Sequence, residues 1–280
     1  MTGNKVTPLK PGPDSEARPT AMKAGSGSRP VLQVEGIDKI YGNGTVALKG
    51  ADLTVKQGEF VSLLGPSGCG KSTLLRIMAG LGDVTAGTMK WWEQDYDVVG
   101  SKGRKLAFVF QNATLMPWAR VRKNIRLPLD LEHTGNTPEA EKKIDAALDM
   151  VGLQGFDESF PRELSGGMQM RASIARAMIT DPNLMLMDEP FGALDPGPRL
   201  SMHDFLTELR AETGMTVFMV THDLSEGFKL GDRVLVFDKP RWDPDDPEAF
   251  GATITYDFDA RNGGIPFQTI KEKTHVPLPA

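Results

Sequence analysis

The chain has 280 residues, enough to bury a sizeable core and, at roughly 150 residues per domain, to make about two domains or subdomains. Hydrophobic residues make up 40% and charged residues 25%, which excludes a collagen-like, wholly disordered or supercharged chain. Lys and Arg number 32 against 37 Asp and Glu; the net charge of -5 opposes a general electrostatic grip on nucleic acid, and the single cysteine, Cys69, excludes an internal disulfide framework and a Cys-rich zinc site.

Residues 1–29 are rich in Pro, Gly, Ser and Lys, lack the apolar core of a secretory signal and read as a flexible tail. VLQVEGIDKIY, Val31 to Tyr41, alternates apolar and polar positions and predicts an edge-type strand; Ala47 to Val55 continues in that style. FVSLL, residues 60–64, is an apolar strand followed by the glycine loop GPSGCGKST and a helical pattern, LLRIMAGL, closed by Gly82. LAFVFQ, Leu106 to Gln111, is a second short strand. From Asn112 to Thr180 no strong strand pattern occurs, whereas EAEKKIDAALDMVGL and MQMRASIARAMIT have helical spacing, so this third reads as a helical insertion.

The β pattern returns as LMLM, ending on Asp188 and Glu189, and as MTVFMVTH, ending on His222, with a helix from about Pro198 to Glu212 between them. Strands alternating with helices predict a mostly parallel sheet, with ligands at the carboxyl ends of the strands, where the polar motifs fall. Pro240 to Phe250 is an acidic, proline-rich loop, and ATITYDF predicts a last strand pairing with VLVF. No apolar run approaches the roughly 18 residues that span a bilayer. His133, His203 and His275 are expected at the surface.

Gly65, Gly70, Lys71 and Ser72 satisfy G-x-x-x-x-G-K-[ST] between a strand and a helix, with Pro66, Ser67, Gly68, Cys69 and Thr73 completing the loop. Its glycines let backbone N–H groups face phosphates at a helix N-terminus, Lys71 reaches the β and γ phosphates, and Ser72 offers a hydroxyl to Mg²⁺. Asp188, delivered by a buried strand, can hold the Mg²⁺ shell, and Glu189 is placed to deprotonate an attacking water. The helix N-terminus is expected to lower the Cys69 thiol pKa, and alkylation there to block ATP sterically.

With those residues in place, LSGGMQMRASIARAM, from Leu164, resembles the signature sequence of ATP-binding cassette proteins, and five motifs across residues 31–240 follow that family's order. The resemblance implies an α/β P-loop NTPase fold, with a RecA-like, mostly parallel sheet core, an antiparallel β edge and a helical insertion subdomain. The expected division is a tail (1–29), an ABC ATPase domain (30–240, core 30–111 and 181–240, helical subdomain 112–180) and a C-terminal extension (241–280). Ser165, Gly166 and Gly167 precede a helix as a second anion site. The family likeness implies that two subunits pair head to tail, each signature closing over the ATP held by the other's P-loop, and that hydrolysis separates them. It further implies Tyr41 stacking on adenine, Gln111 sensing Mg²⁺ and γ-phosphate, Asp195 in the loop that crosses the dimer interface, and His222 as the switch histidine.

VFQNATLMPWARVRKNI resembles the VFQ…LLPW…V…N segment of ATPases in the nitrate, sulfonate, taurine and bicarbonate import group, as does LMLMDEPFGALD. That likeness implies a peripheral subunit at the cytoplasmic face of the inner membrane, working with a membrane permease and indirectly with an extracytoplasmic solute-binding protein. Met116, Pro117, Trp118 and Val121 are candidate permease contacts, with internal packing as the alternative. Met170 and Gly227 depart from the group's usual Gln and Ala. Exporter-type ATPases and non-transport cassettes of DNA repair or translation are the other classes.

Overall fold

The structure is a computed structural model that describes residues 7–8, 30–92, 94–95, 105–240 and 250–262. In chain order its strands are β1 (Thr7–Pro8), β2 (Pro30–Ile40), β3 (Val46–Lys56), β4 (Phe60–Leu64), β5 (Ala86–Trp91), β6 (Gln94–Asp95), β7 (Leu106–Val109), β8 (Leu184–Asp188), β9 (Thr216–Thr221), β10 (Arg233–Asp238) and β11 (Thr253–Asp259). Its α-helices are α1 (Lys71–Met78), α2 (Val121–Leu131), α3 (Pro138–Met150), α4 (Gly166–Met178), α5 (Pro196–Thr213) and α6 (Leu224–Leu230). The chain divides into two compact units, residues 1–99 with 216–280, and residues 100–215.

In the first unit, β4 lies between β9 and β10, parallel to both, and β11 adds antiparallel to β10 as ATITYDF predicts. Every residue of β4 and β9 is buried, the burial expected of a parallel strand covered on both faces. A separate antiparallel sheet has the order β3-β2-β5-β6. The expected edge strand over 31–41 is corrected here, because β2 pairs with β3 on one side and β5 on the other. Its alternation reflects one covered face, not an edge position. Helix α1 ends at Met78 and the chain turns at Gly80, with φ 68, rather than at Gly82. The proline-rich segment 241–249 and most of the N-terminal tail lie outside the described residues.

In the second unit β7 and β8 are parallel neighbours. Helices α2, α3 and α4 enclose an apolar core that includes Val121, Ile125, Ile144, Leu148, Ala172 and Ala175. Helix α3 starts at a Thr137 cap whose Oγ1 accepts from the Ala140 N–H at 3.1 Å, with Pro138 in the first turn. Arg122 and Arg126 of α2 both reach Glu141 of α3, at 2.6 and 3.1 Å, fixing the two helices side by side above that core.

Candidate functional site

The phosphate loop leaves β4 at Gly65. A Cβ there would sit 2.2 Å from the Phe237 carbonyl oxygen of β10, so only glycine lets the loop pass that strand end. Gly70, with φ 99, caps α1, and a Cβ on it would meet the Ala47 carbonyl oxygen at 2.8 Å. No cap side chain bonds the first turn of α1 and no acidic residue lies in it, so no carboxylate of that turn offsets the positive end of the helix dipole. Lys71 is buried, and its Nζ donates to the carbonyls of Gly65 and Pro66, both at 2.8 Å. The lysine stem therefore runs back along the loop and sets its charge at the loop's centre.

Cys69 behaves differently from expectation. It is 4% exposed, its Sγ donates to the Phe237 carbonyl at 3.7 Å, and burial raises the thiol pKa, outweighing the nearby Lys71 charge. The desolvation of a thiolate in this wall exceeds what the helix terminus and the lysine return.

Tyr41 stands at the turn between β2 and β3, half exposed, with its hydroxyl 3.1 Å from Thr73 Oγ1 in the first turn of α1. An interior strand aromatic is thereby excluded: the ring lies beside the phosphate loop, with Lys39 Nζ 5.3 Å from its centroid. His222, exposed, follows the last residue of β9. The residues flanking it form a closed set of hydrogen bonds, in which Thr221 Oγ1 donates to the buried Glu226 and accepts from the Asp223 N–H at 3.1 Å. Asp223 Oδ1 accepts from the Glu226 N–H at 3.1 Å. Sequence reasoning did not single out Glu226; an acidic residue among the apolar positions of α6 is the signal that marks it.

In the second unit the wholly buried β8 ends on Asp188, and Glu189 follows with φ 45. A left-handed glutamate straight after a buried strand is a strained conformation that turns the side chain out of the strand's alternation. Gln111, exposed, lies two residues beyond β7. Ser165 caps α4, its Oγ accepting from the Met168 N–H at 3.3 Å, and Ser165 and Gly166 are exposed. Added Cβ atoms on Gly166 and Gly167 would meet only ordinary contacts, 3.6 Å to Leu194 and 3.5 Å to Pro198, so this chain's own packing does not demand the glycines. Asp195 is exposed at the N-terminus of α5 and makes no capping bond there, which leaves its carboxylate facing outward.

The loop after Gln111 is fixed by two residues that sequence reasoning gave no role. Asn124 is wholly buried; its Oδ1 accepts from the Met116 N–H at 2.7 Å, and its Nδ2 donates to the carbonyls of Met116, Ala119 and Arg120. Its signal is an amide on the buried face of α2, between Val121 and Ile125. Arg176 of α4 binds Ala113 and Thr114. The turn so held presents Trp118 at 77% exposure, with Pro117 exposed and Met116 half-buried. Val121, by contrast, is wholly buried in the helical core, so it is removed from the candidate contact surface. His203 is likewise corrected: it is 4% exposed and packs edge-on to Phe191, while His133 is exposed and His275 lies outside the described residues.

Residues 48–192 match the family model described as ABC transporter. The chain belongs to the ATP-binding cassette family. It is 47% identical over 210 residues to the aliphatic sulfonates import ATP-binding protein SsuB 2 of Mesorhizobium japonicum, covering 75% of this chain and 78% of that one. It is 42% identical to the nitrate import ATP-binding protein NrtC of Synechocystis, over 74% of this chain but only 31% of that larger relative. Among solved structures, the ATP-binding cassette MJ0796, a dimer in a post-hydrolysis state bound to ADP and phosphate, superposes with a TM-score of 0.64 at 34% identity, over 73% of this chain and 93% of that one. The cassette is accordingly an α/β P-loop ATPase and binds ATP.

Proposed function

We propose that this cassette is the ATP-hydrolysing subunit that energises import of a small solute through a separate membrane permease at the cytoplasmic face of the membrane. Relatives named for sulfonate and nitrate import support the direction of transport. What carries the mechanism is the presence of two helix N-termini in one chain: the first turn of α1 behind the phosphate loop, and the exposed, Ser165-capped start of α4, where Gly166 and Gly167 answer no internal steric need. One nucleotide per P-loop and a second anion-accepting end per chain fit two subunits paired head to tail, closed by ATP and opened by hydrolysis.

In this reading Gly65 to Thr73 hold the phosphates, Lys71 neutralises the β and γ groups, and Tyr41 stacks on adenine. Glu189 takes the proton of the attacking water, and His222, fixed between Thr221 and Asp223, donates to the γ-phosphate. Asp195 lines the partner interface. Ser72, Gln111 and Asp188 supply a hydroxyl, an amide oxygen and a carboxylate, the hard oxygen donors that Mg²⁺ takes alongside phosphate and water. Among the described residues no three His, Cys, Asp or Glu side chains cluster as a metal site, so Ser72, Gln111 and Asp188 would hold the ion only together with phosphate oxygens. Once bound, Mg²⁺ neutralises charge developing on the transferred phosphoryl group. Catalysis by the chain itself is positioning and charge stabilisation.

The isolated chain tests this directly. Glu189→Gln is expected to lower ATP turnover by at least about 100-fold while ATP still binds, and to prolong an ATP-bound dimer seen by size-exclusion chromatography. Undiminished turnover in that variant removes Glu189 from catalysis. Purification from detergent-solubilised membranes is expected to bring down a permease; recovery of ribosomes or DNA instead overturns the transport role.

A further inference from the structure

Arg176 lies in the last turn of α4, the helix whose first turn carries Ser165 to Gly167. Its guanidinium leaves its own helix and spans the turn after Gln111: Nη1 donates to the Thr114 carbonyl at 2.9 Å, and Nη2 donates to the Ala113 carbonyl at 3.1 Å and to Thr114 Oγ1 at 3.0 Å. Thr114 has φ 45, a conformation disfavoured for a β-branched residue and maintained only where surrounding contacts over-determine it. The fork of N–H donors reaching two adjacent residues is such a contact, and an ammonium could not reproduce its planar geometry. Burial lowers the Arg176 pKa, and among the described residues no carboxylate pairs with it. A half-buried guanidinium whose hydrogen bonds go to neutral oxygens of a single turn gains no ion-pair energy there, which points to a geometric task. Beyond Thr114, Leu115 packs on the helical core and Asn124 holds Met116 to Arg120.

We propose that Arg176 is a positioning residue that locks the turn after Gln111 to the signature helix, so that Gln111, the Trp118 turn and Ser165 to Gly167 shift as one body during the ATPase cycle. The lock rests on the ATPase-subunit reading above for its purpose, but its geometry lies wholly within the second unit. Helix α4 then acts as the rigid arm: its C-terminal turn holds the Gln111 segment and its N-terminal turn presents the signature.

The test uses the purified full chain with Arg176→Lys and Arg176→Met, followed by steady-state kinetics with Mg-ATP, hydrogen exchange and thermal unfolding. Both variants are expected to lose about tenfold or more in kcat with KM within about twofold of the original. Exchange in peptides covering 112–119 is expected to rise about tenfold while peptides of α4 keep their protection. Unchanged kcat or unchanged exchange over 112–119 in Arg176→Lys overturns the lock. Loss of protection throughout α4 with a lowered Tm in both variants overturns it too, because Arg176 would then serve packing alone. An original chain that turns over no ATP defeats the ATPase reading, while the exchange of 112–119 still decides the lock on its own.

Discussion

Cys69 shows how one side chain inside a phosphate loop can differ from what its sequence position suggests. Helix N-termini stabilise thiolates, yet this thiol is walled in by Gly65 and the Phe237 carbonyl, and burial raises its pKa. Labelling by iodoacetamide at pH 7 is therefore expected to be at least about tenfold slower than that of an exposed cysteine, and to rise about tenfold per pH unit towards alkaline conditions. A rate equal to that of free cysteine at pH 7 refutes the assignment. The same sign governs stability: above the ordinary thiol pKa the unfolded chain releases this proton more readily than the folded one, so the group destabilises the fold as pH rises. Once forced on, an adduct has no room beside Gly65 and should displace the loop; labelled protein that keeps its full ATP affinity would rule that out.

Among elements, the phosphate loop, β4, β8 and β9 were legible because central parallel strands are apolar on both faces and end on polar motifs. β5 was not, because AGTMKW buries only Trp91 and so presents neither a run nor an alternation. Helix α2 was hidden by Pro128 and its arginines, although its buried stripe of Val121, Asn124, Ile125 and Leu129 keeps helical spacing. His203 shows the same limit at the site's margin: a lone histidine in a polar stretch of α5 reads as surface, and only packing against Phe191 places it inside. The antiparallel strand β11 was predicted from its pattern, but its fastening was not. Arg233 binds Asp257 through two donors at 2.7 and 2.5 Å, reaches Glu59 at 3.7 Å and donates to the Thr54 carbonyl at 2.6 Å. Arg233→Ala leaves Asp257 and Glu59 facing each other with little solvent, and is expected to cost about 2–4 kcal/mol in urea unfolding. Replacing Arg233 and Asp257 together by Met and Leu should recover only part of that loss, because Glu59 still lacks its cation; a single variant as stable as the original shows the network to be ornamental.

For the molecule as a whole, Trp118 is the feature that points beyond the chain. No helix among the described residues is long and apolar enough to cross a membrane, yet a tryptophan is held outward on a turn fixed by a wholly buried asparagine. Trp118→Ala should leave unfolding free energy within about 0.5 kcal/mol, since exposed positions contribute little, and should abolish recovery of the permease from membranes. Full recovery with the variant would remove Trp118 from the candidate permease contacts. The topology of β4 carries a consequence of another kind, one of timing. Val61 pairs with Phe218 on one side and Arg233 on the other, both synthesised more than about 150 residues later. During translation at about 5–20 residues per second, the strand that bears the phosphate loop waits on the order of ten to thirty seconds for either neighbour. The Gly65 turn cannot be shaped against Phe237 until residue 237 has emerged, so nascent chains are expected to bind nucleotide only after that point.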